Sequence, residues 1–144
     1  MSGLAQVANY GSVKTKTIDG SIASDSAISL TTATPADVAS IELTVGNWDV
    51  TGQITFMATS ATFVISAAWE GGISTTTATL PTDGTEAFFA TPAAIATTTF
   101  NATVTIPRKV INITSTTMVY LVAEATFTAG TVSAYGSLTA RRVY

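Results

Sequence analysis

A chain of 144 residues, 47% hydrophobic and only 10% charged with a net charge of −3, is long enough for one domain with a sizeable buried core. The acidic balance argues against nucleic-acid binding, which needs a basic stripe to replace counterions. The absence of cysteine excludes disulfides and thiolate metal sites, and the absence of histidine excludes a Ser-His-Asp triad.

Mean hydropathy is positive at +0.42, yet Thr, Ser or Gly interrupts the apolar residues every few positions. No run approaches the roughly 20 apolar residues of a membrane-spanning helix, so no membrane is expected as a partner. MSGLAQVANY has neither a basic start nor a sustained apolar core, and no signal peptide is expected there. Serine and threonine take the place of charges, which gives a neutral, hydroxyl-rich surface built from residues that suit strands.

Residues 1–27 are rich in small residues, with Lys14, Lys16, Asp19 and Asp25 spaced through them. They read as an extended N-terminal arm that gains order on a neighbour, or as a floppy terminus. A short strand around Val13–Ile18 is compatible with either. Residues 28–144 form the body. Ile28–Leu30 is a short strand before the Thr34-Pro35 break. Val38–Val45 follows, with Ile41, Leu43 and Val45 on one face and Glu42 and Thr44 on the other. Gly46-Asn47 marks a turn. Trp48, Val50, Gly52, Ile54, Phe56 and Ala58 then alternate with Asp49, Thr51, Gln53, Thr55 and Met57, the pattern of an antiparallel strand with one buried face.

Phe63, Ile65, Ala67 and Trp69 repeat the alternation until Glu70-Gly71-Gly72, read as a break. Ile73–Leu80 is a threonine-rich ladder ended by Pro81, Asp83-Gly84 is a turn, and Pro92–Thr99 reads as a loop. Phe100–Ile106 is a strand stopped by Pro107, followed by a short strand at Val110–Ile113. The stretch from Met118 to Tyr144 reads as a hairpin of two long strands about Ala129-Gly130. Seven to nine short strands with regular turn signals, and no helix of normal length, predict an all-β antiparallel sandwich or barrel.

Candidate chemistry is sparse. Lys14, Lys16 and Lys109 lie in no Ser-Lys motif, and Asp49, Glu70 and Glu124 fall on strand faces beside hydroxyls, where solvated or paired acids are ordinary. No enzyme and no cofactor is expected. Asp83-Gly84-Thr85-Glu86 can hold a calcium ion loosely, although an Asp-Gly turn accounts for it. Trp48 and Trp69 are expected in the core. Tyr120 and Tyr135 lie off the apolar faces, where a subunit contact is favoured over a glycan contact. Arg141 and Arg142 end the last strand, as solvated residues or as partners of a neighbouring subunit's acids.

Three segments, SIELTVGNWDVTG (Ser40–Gly52), TMVYLVA (Thr117–Ala123) and SAYGSLTARRV (Ser133–Val143), resemble a family of small virion proteins of tailed bacteriophages. That family carries a T-x-G-x-W-D-V-x-G strand, a T-T-x-Y-L-V-A strand and a terminal A-Y-G-x-(I/L)-x-A-R-R-V. The likeness covers residues 38–144. It implies a jelly-roll β-sandwich, homotrimeric, in a phage particle. The role implied is a capsid decoration (cement) protein on the outer surface, with the major capsid protein as partner, or the receptor-binding knob of a fibre. Length favours decoration, since a compact body with a tether suits cement and a knob needs a shaft. Lys14, Lys16, Tyr120, Tyr135, Arg141 and Arg142 are the expected subunit or capsid contacts.

Overall fold

The computed structural model describes residues 17–58, 63–81, 88–91, 95–97 and 100–143. Its strands are β1 (Thr17–Ile22), β2 (Ile28–Ser29), β3 (Ala36–Leu43), β4 (Gly46–Ala58), β5 (Phe63–Ser74), β6 (Phe88–Thr91), β7 (Ile95–Thr97), β8 (Phe100–Ile113), β9 (Thr117–Ala129) and β10 (Val132–Val143). A 3-10 turn at Ser24–Ser26 is the one helical element among the described residues.

Two five-stranded antiparallel sheets face each other. Sheet A has the order β1-β10-β4-β8 with β2 beside β10. Sheet B has the order β3-β9-β5-β6 with β7 beside β5. From β3 onward the chain changes sheet at every long strand, and this interleaving of two layers is the jelly roll. The alternation read in the sequence places the core. Val38, Leu43, Ile73, Val119, Leu121, Ala123 and Ala125 of sheet B meet Trp48, Val50, Ile54, Phe56, Ile106, Leu138 and Ala140 of sheet A, all fully buried. Trp69 packs edge-on against Phe56 at 5.3 Å and against Phe89 at 5.8 Å.

Four local readings change in the structure, each for a tertiary reason. Met118–Tyr144 is no hairpin, because β9 lies in sheet B and β10 in sheet A. Gly130, at φ +83, turns the chain across the sandwich, and both apolar faces then point into one core. Gly71 and Gly72 do not break β5. A Cβ on Gly71 would lie 2.5 Å from Ile54 Cδ1, so glycine is the residue that lets the sheets approach there. Pro107 does not end a strand, because β8 runs through it with a bulge opposite Val50–Gly52. β8 ends the strand order of sheet A, a position where proline is tolerated. Ile95–Thr97, read as loop, pairs with β5.

Part of the stretch read as an arm belongs to the sandwich. Thr17–Ile22 pairs with β10 from Thr17↔Arg141 to Ile22↔Gly136, and Ile18 packs against the core. Lys14, Lys16 and the Asp83–Glu86 turn lie outside the described residues.

Candidate interaction surfaces

The outer face of sheet A is set by strand alternation. Residues between the core positions of β1, β10, β4 and β8 point away from sheet B, and the register lines them up in rows. Ser21, Ser137, Gln53 and Thr105 form one row, Asp19, Thr139 and Thr51 the next, and Tyr135, Thr55 and Thr103 another. Thr55 and Thr103 share a hydroxyl–hydroxyl bond of 2.7 Å. These rows carry hydroxyls and one amide, with a single carboxylate at the β1 edge. Two shallow grooves run along them. One of about 240 Å³ is bounded by Ser21, Gln53, Thr55, Tyr135 and Ser137. The other, of about 290 Å³, is bounded by Thr51, Gln53, Thr105, Ser137 and Thr139. Tyr135 therefore stands at the rim of a neutral groove.

Charge collects at the end of this face. Arg141 lies opposite Asp49 across β10 and β4, and Asp49 accepts a 2.5 Å bond from Arg108 Nε. Val110, opposite Asp49 on β8, is 54% exposed. Arg142 faces the other way. It is in register with Trp48, its guanidinium sits 5.9 Å from the indole centroid, and Nη2 donates to the Val45 carbonyl at 2.9 Å. Gly46, at φ +143, leaves the room that the guanidinium fills, since a Cβ there would lie 2.9 Å from Nη2. Trp48 in turn donates its indole N–H to the Thr44 carbonyl at 2.8 Å. The Trp48-Asp49 and Arg141-Arg142 dipeptides, far apart in sequence, are thus one cross-strand constellation. Arg142 closes the sandwich end within the chain, and Arg141 is left exposed.

Sheet B presents a different surface. Tyr120 stands on its outer face between Ser40 of β3 and Ser74 of β5. The neighbouring outward residue, Val122, is fully buried. After β5 the chain crosses back over β9 to β3, where Thr77 Oγ1 and the Ala78 N–H (2.7 Å) both donate to the carboxylate of Asp37, the residue in register with Val122. Beyond it, Glu70 and Glu124 stand directly opposite each other. Burial, and then the Glu70 charge, raises the Glu124 carboxyl above its ordinary pKa. A third crevice, about 330 Å³, follows the seam between β1 and β3 along Gly20–Ile22 and Asp37–Ser40. Among the described residues no three His, Cys, Asp or Glu side chains converge as a metal site, and no helix is long and apolar enough to cross a membrane.

Sequence reasoning placed Tyr120, Tyr135 and Arg141 on outer surfaces. It did not find the opposed Glu70–Glu124 pair or the internal use of Arg142. Both depend on strand register, which a single sequence does not display.

Comparison with known proteins gives fold likenesses only. No protein-family model matches the chain, and no curated protein sequence does. Among solved structures, the chain is similar to the structure of infectious bursal disease virus, Gx strain, at 16% identity and a TM-score of 0.48. That match covers 90% of this chain and 33% of the other. It is also similar to a mutant VP2 protein of infectious bursal disease virus, at 19% identity and a TM-score of 0.44, covering 90% and 32%. The chain spans about a third of the length of either.

Proposed function

We propose that this chain is a non-enzymatic structural protein of a bacteriophage virion, a decoration protein that binds across subunits of the major capsid protein and braces the head shell from outside. The observation that carries the reading is the placement of the three family-like segments. The first, Ser40–Gly52, runs from the end of β3 into β4, and its β4 half lies beside the β10 segment, with Arg142 over Trp48 and Arg141 in register with Asp49. The third, in β9, pairs with the β3 half of the first, from Ser40↔Tyr120 to Leu43↔Thr117, and faces β4 and β10 across the core. The motifs that resemble the phage family therefore work together as one structural unit of a jelly roll, and none of them builds a reaction centre.

The outer face of sheet A suits a shell contact. A flat surface of hydroxyls desolvates at lower cost than a charged one and offers donors and acceptors along its length. A standard interface buries about 1,600 Å² in total, which is within the reach of one sheet face and its loops. Tyr135 within this face, and Lys14 and Lys16 ahead of β1, are the proposed shell contacts. Tyr120 and Arg141 are proposed contacts between copies in a homotrimer.

The Tyr135 groove favours a second reading, a receptor-binding knob. An aromatic ring beside the Gln53 amide and the Ser21 and Ser137 hydroxyls is a composition that takes an uncharged sugar. Removing the protein from particles separates the two readings. Heads that lose heat or osmotic resistance and regain it on adding the purified chain support decoration. Particles that stay robust but no longer adsorb to cells refute it in favour of the knob.

A further inference from the structure

We propose that copies of this chain associate head to tail, the Arg141–Val110 end of sheet A in one copy docking on the Glu70–Glu124 face of sheet B in the next. The strands of sheet A carry four basic residues against Asp19 and the Arg108-paired Asp49, and those of sheet B carry only acids. Every basic residue of the described strands, Arg108, Lys109, Arg141 and Arg142, belongs to β8 or β10 of sheet A. The strands of sheet B carry Asp37, Glu42, Glu70 and Glu124 and no lysine or arginine. The two surfaces therefore complement each other and not themselves, which favours a second copy in a heterologous contact over a two-fold one.

Local geometry at both ends supports this occupant. At the basic end Asp49 is already engaged by Arg108, and Arg141 stands exposed beside them. The two exposed large hydrophobics among the described residues, Val110 and Val45, are both at this end. An exposed guanidinium beside apolar surface is the composition of an interface anchor. At the acidic end two carboxylates oppose each other across β5 and β9, a pairing that costs stability in the isolated chain. A planar guanidinium can bridge them with paired hydrogen bonds. A heterologous contact closes into a ring where its rotation permits and otherwise extends as a filament. The proposal adds a named contact to the trimer in the proposed function, but its test needs no virion.

Sedimentation velocity on the full chain tests it, at about 100 µM protein and with salt raised from about 20 mM to about 500 mM. The wild type is expected to associate at low salt and dissociate as salt rises. Arg141→Glu and the double variant Glu70→Arg/Glu124→Arg are each expected to weaken self-association more than about tenfold. An equimolar mixture of the two is expected to restore association, in open or even-numbered species, because both contacts re-form only between unlike copies. Glu70→Gln/Glu124→Gln, a milder change, is expected to weaken association, and mixing it with Arg141→Glu to restore only the one contact between its own Arg141 and the intact carboxylates, giving pairs and no longer chains. Circular dichroism confirms that each variant is folded. A wild type that stays monomeric at low salt overturns the proposal. So does a mixture that stays monomeric when both variants are folded, or association that survives both reversals and vanishes on deleting residues 1–16. None of these outcomes bears on binding to the head, which the particle experiment reads separately.

Discussion

Replacing Arg142 with alanine removes the contact that ties the end of β10 to the β3–β4 connection. The side chain donates to the Val45 carbonyl at 2.9 Å and lies 5.9 Å over the Trp48 ring, filling the space above Gly46. A charged donor to a carbonyl contributes about 1.5 kcal/mol net, and a half-exposed cation–π contact about 0.5–1 kcal/mol. Arg142→Ala should therefore cost about 2 kcal/mol, a fall in Tm of roughly 6–10 °C for a domain of this size. Arg142→Lys keeps the charge but lacks the planar fork, and should recover less than half of the loss. Gly46→Ala should displace the guanidinium as well as strain the backbone at φ +143. It should therefore cost less in the Arg142→Ala background than in the wild type. Equilibrium urea unfolding followed by tryptophan fluorescence, with calorimetry alongside, measures all of these. An Arg142→Ala protein within about 0.5 kcal/mol of wild type, the range of an ordinary surface substitution, would refute the reasoning.

Gly136→Ala should be far more damaging, because its Cβ would lie 2.1 Å from the Gln53 carbonyl oxygen of the paired strand. A loss above about 3 kcal/mol is expected by chemical denaturation. Gly71→Ala meets the flexible ends of Ile54 and, at 3.2 Å, Ile106, and should cost about 1–2 kcal/mol. Glu124→Gln should stabilise the chain at neutral pH by about 0.2–1 kcal/mol, since it removes a like-charge cross-strand pair. The sign with pH follows from the raised Glu124 pKa. The folded state holds this proton more tightly than the unfolded chain, so the penalty is full at neutral pH and fades as pH falls through the folded pKa. The gap between variant and wild type should shrink on acidification, as thermal melts across that range would read. Asp37→Ala should cut two bonds to Thr77 and Ala78, and proteolysis or hydrogen exchange should rise across Thr75–Leu80 with a loss of about 1–2 kcal/mol.

Local periodicity was enough to find the strands and their inward faces. Ile41 and Leu43, Trp48 to Phe56, and Val119 to Ala125 are buried as their alternation predicts, because a strand's two faces are a property of consecutive residues. Partner choice is not local. The pattern of β9 and β10 fits a hairpin and a crossover equally well, and only the competition of β3, β5 and β4 for those edges decides between them. Gly71 and Pro107 misled for the same reason. One marks a close approach between sheets and the other a bulge on an edge strand, and each is a residue type that elsewhere ends strands. Val122 alternates outward yet is fully buried, in register with Asp37, where the loop after β5 is pinned. The Arg142 bond to the Val45 carbonyl, 97 positions away, depends on strand register in the same way.

The central claim is that the jelly roll is a brace on the outside of a phage head. A residue-scale reconstruction of intact particles that carry the chain tests it most directly. The account predicts many copies on the head exterior, with the Thr51, Gln53, Thr105 and Ser137 face of sheet A against the shell. Density confined to a few copies at the tail tip, with a bare head, would contradict it.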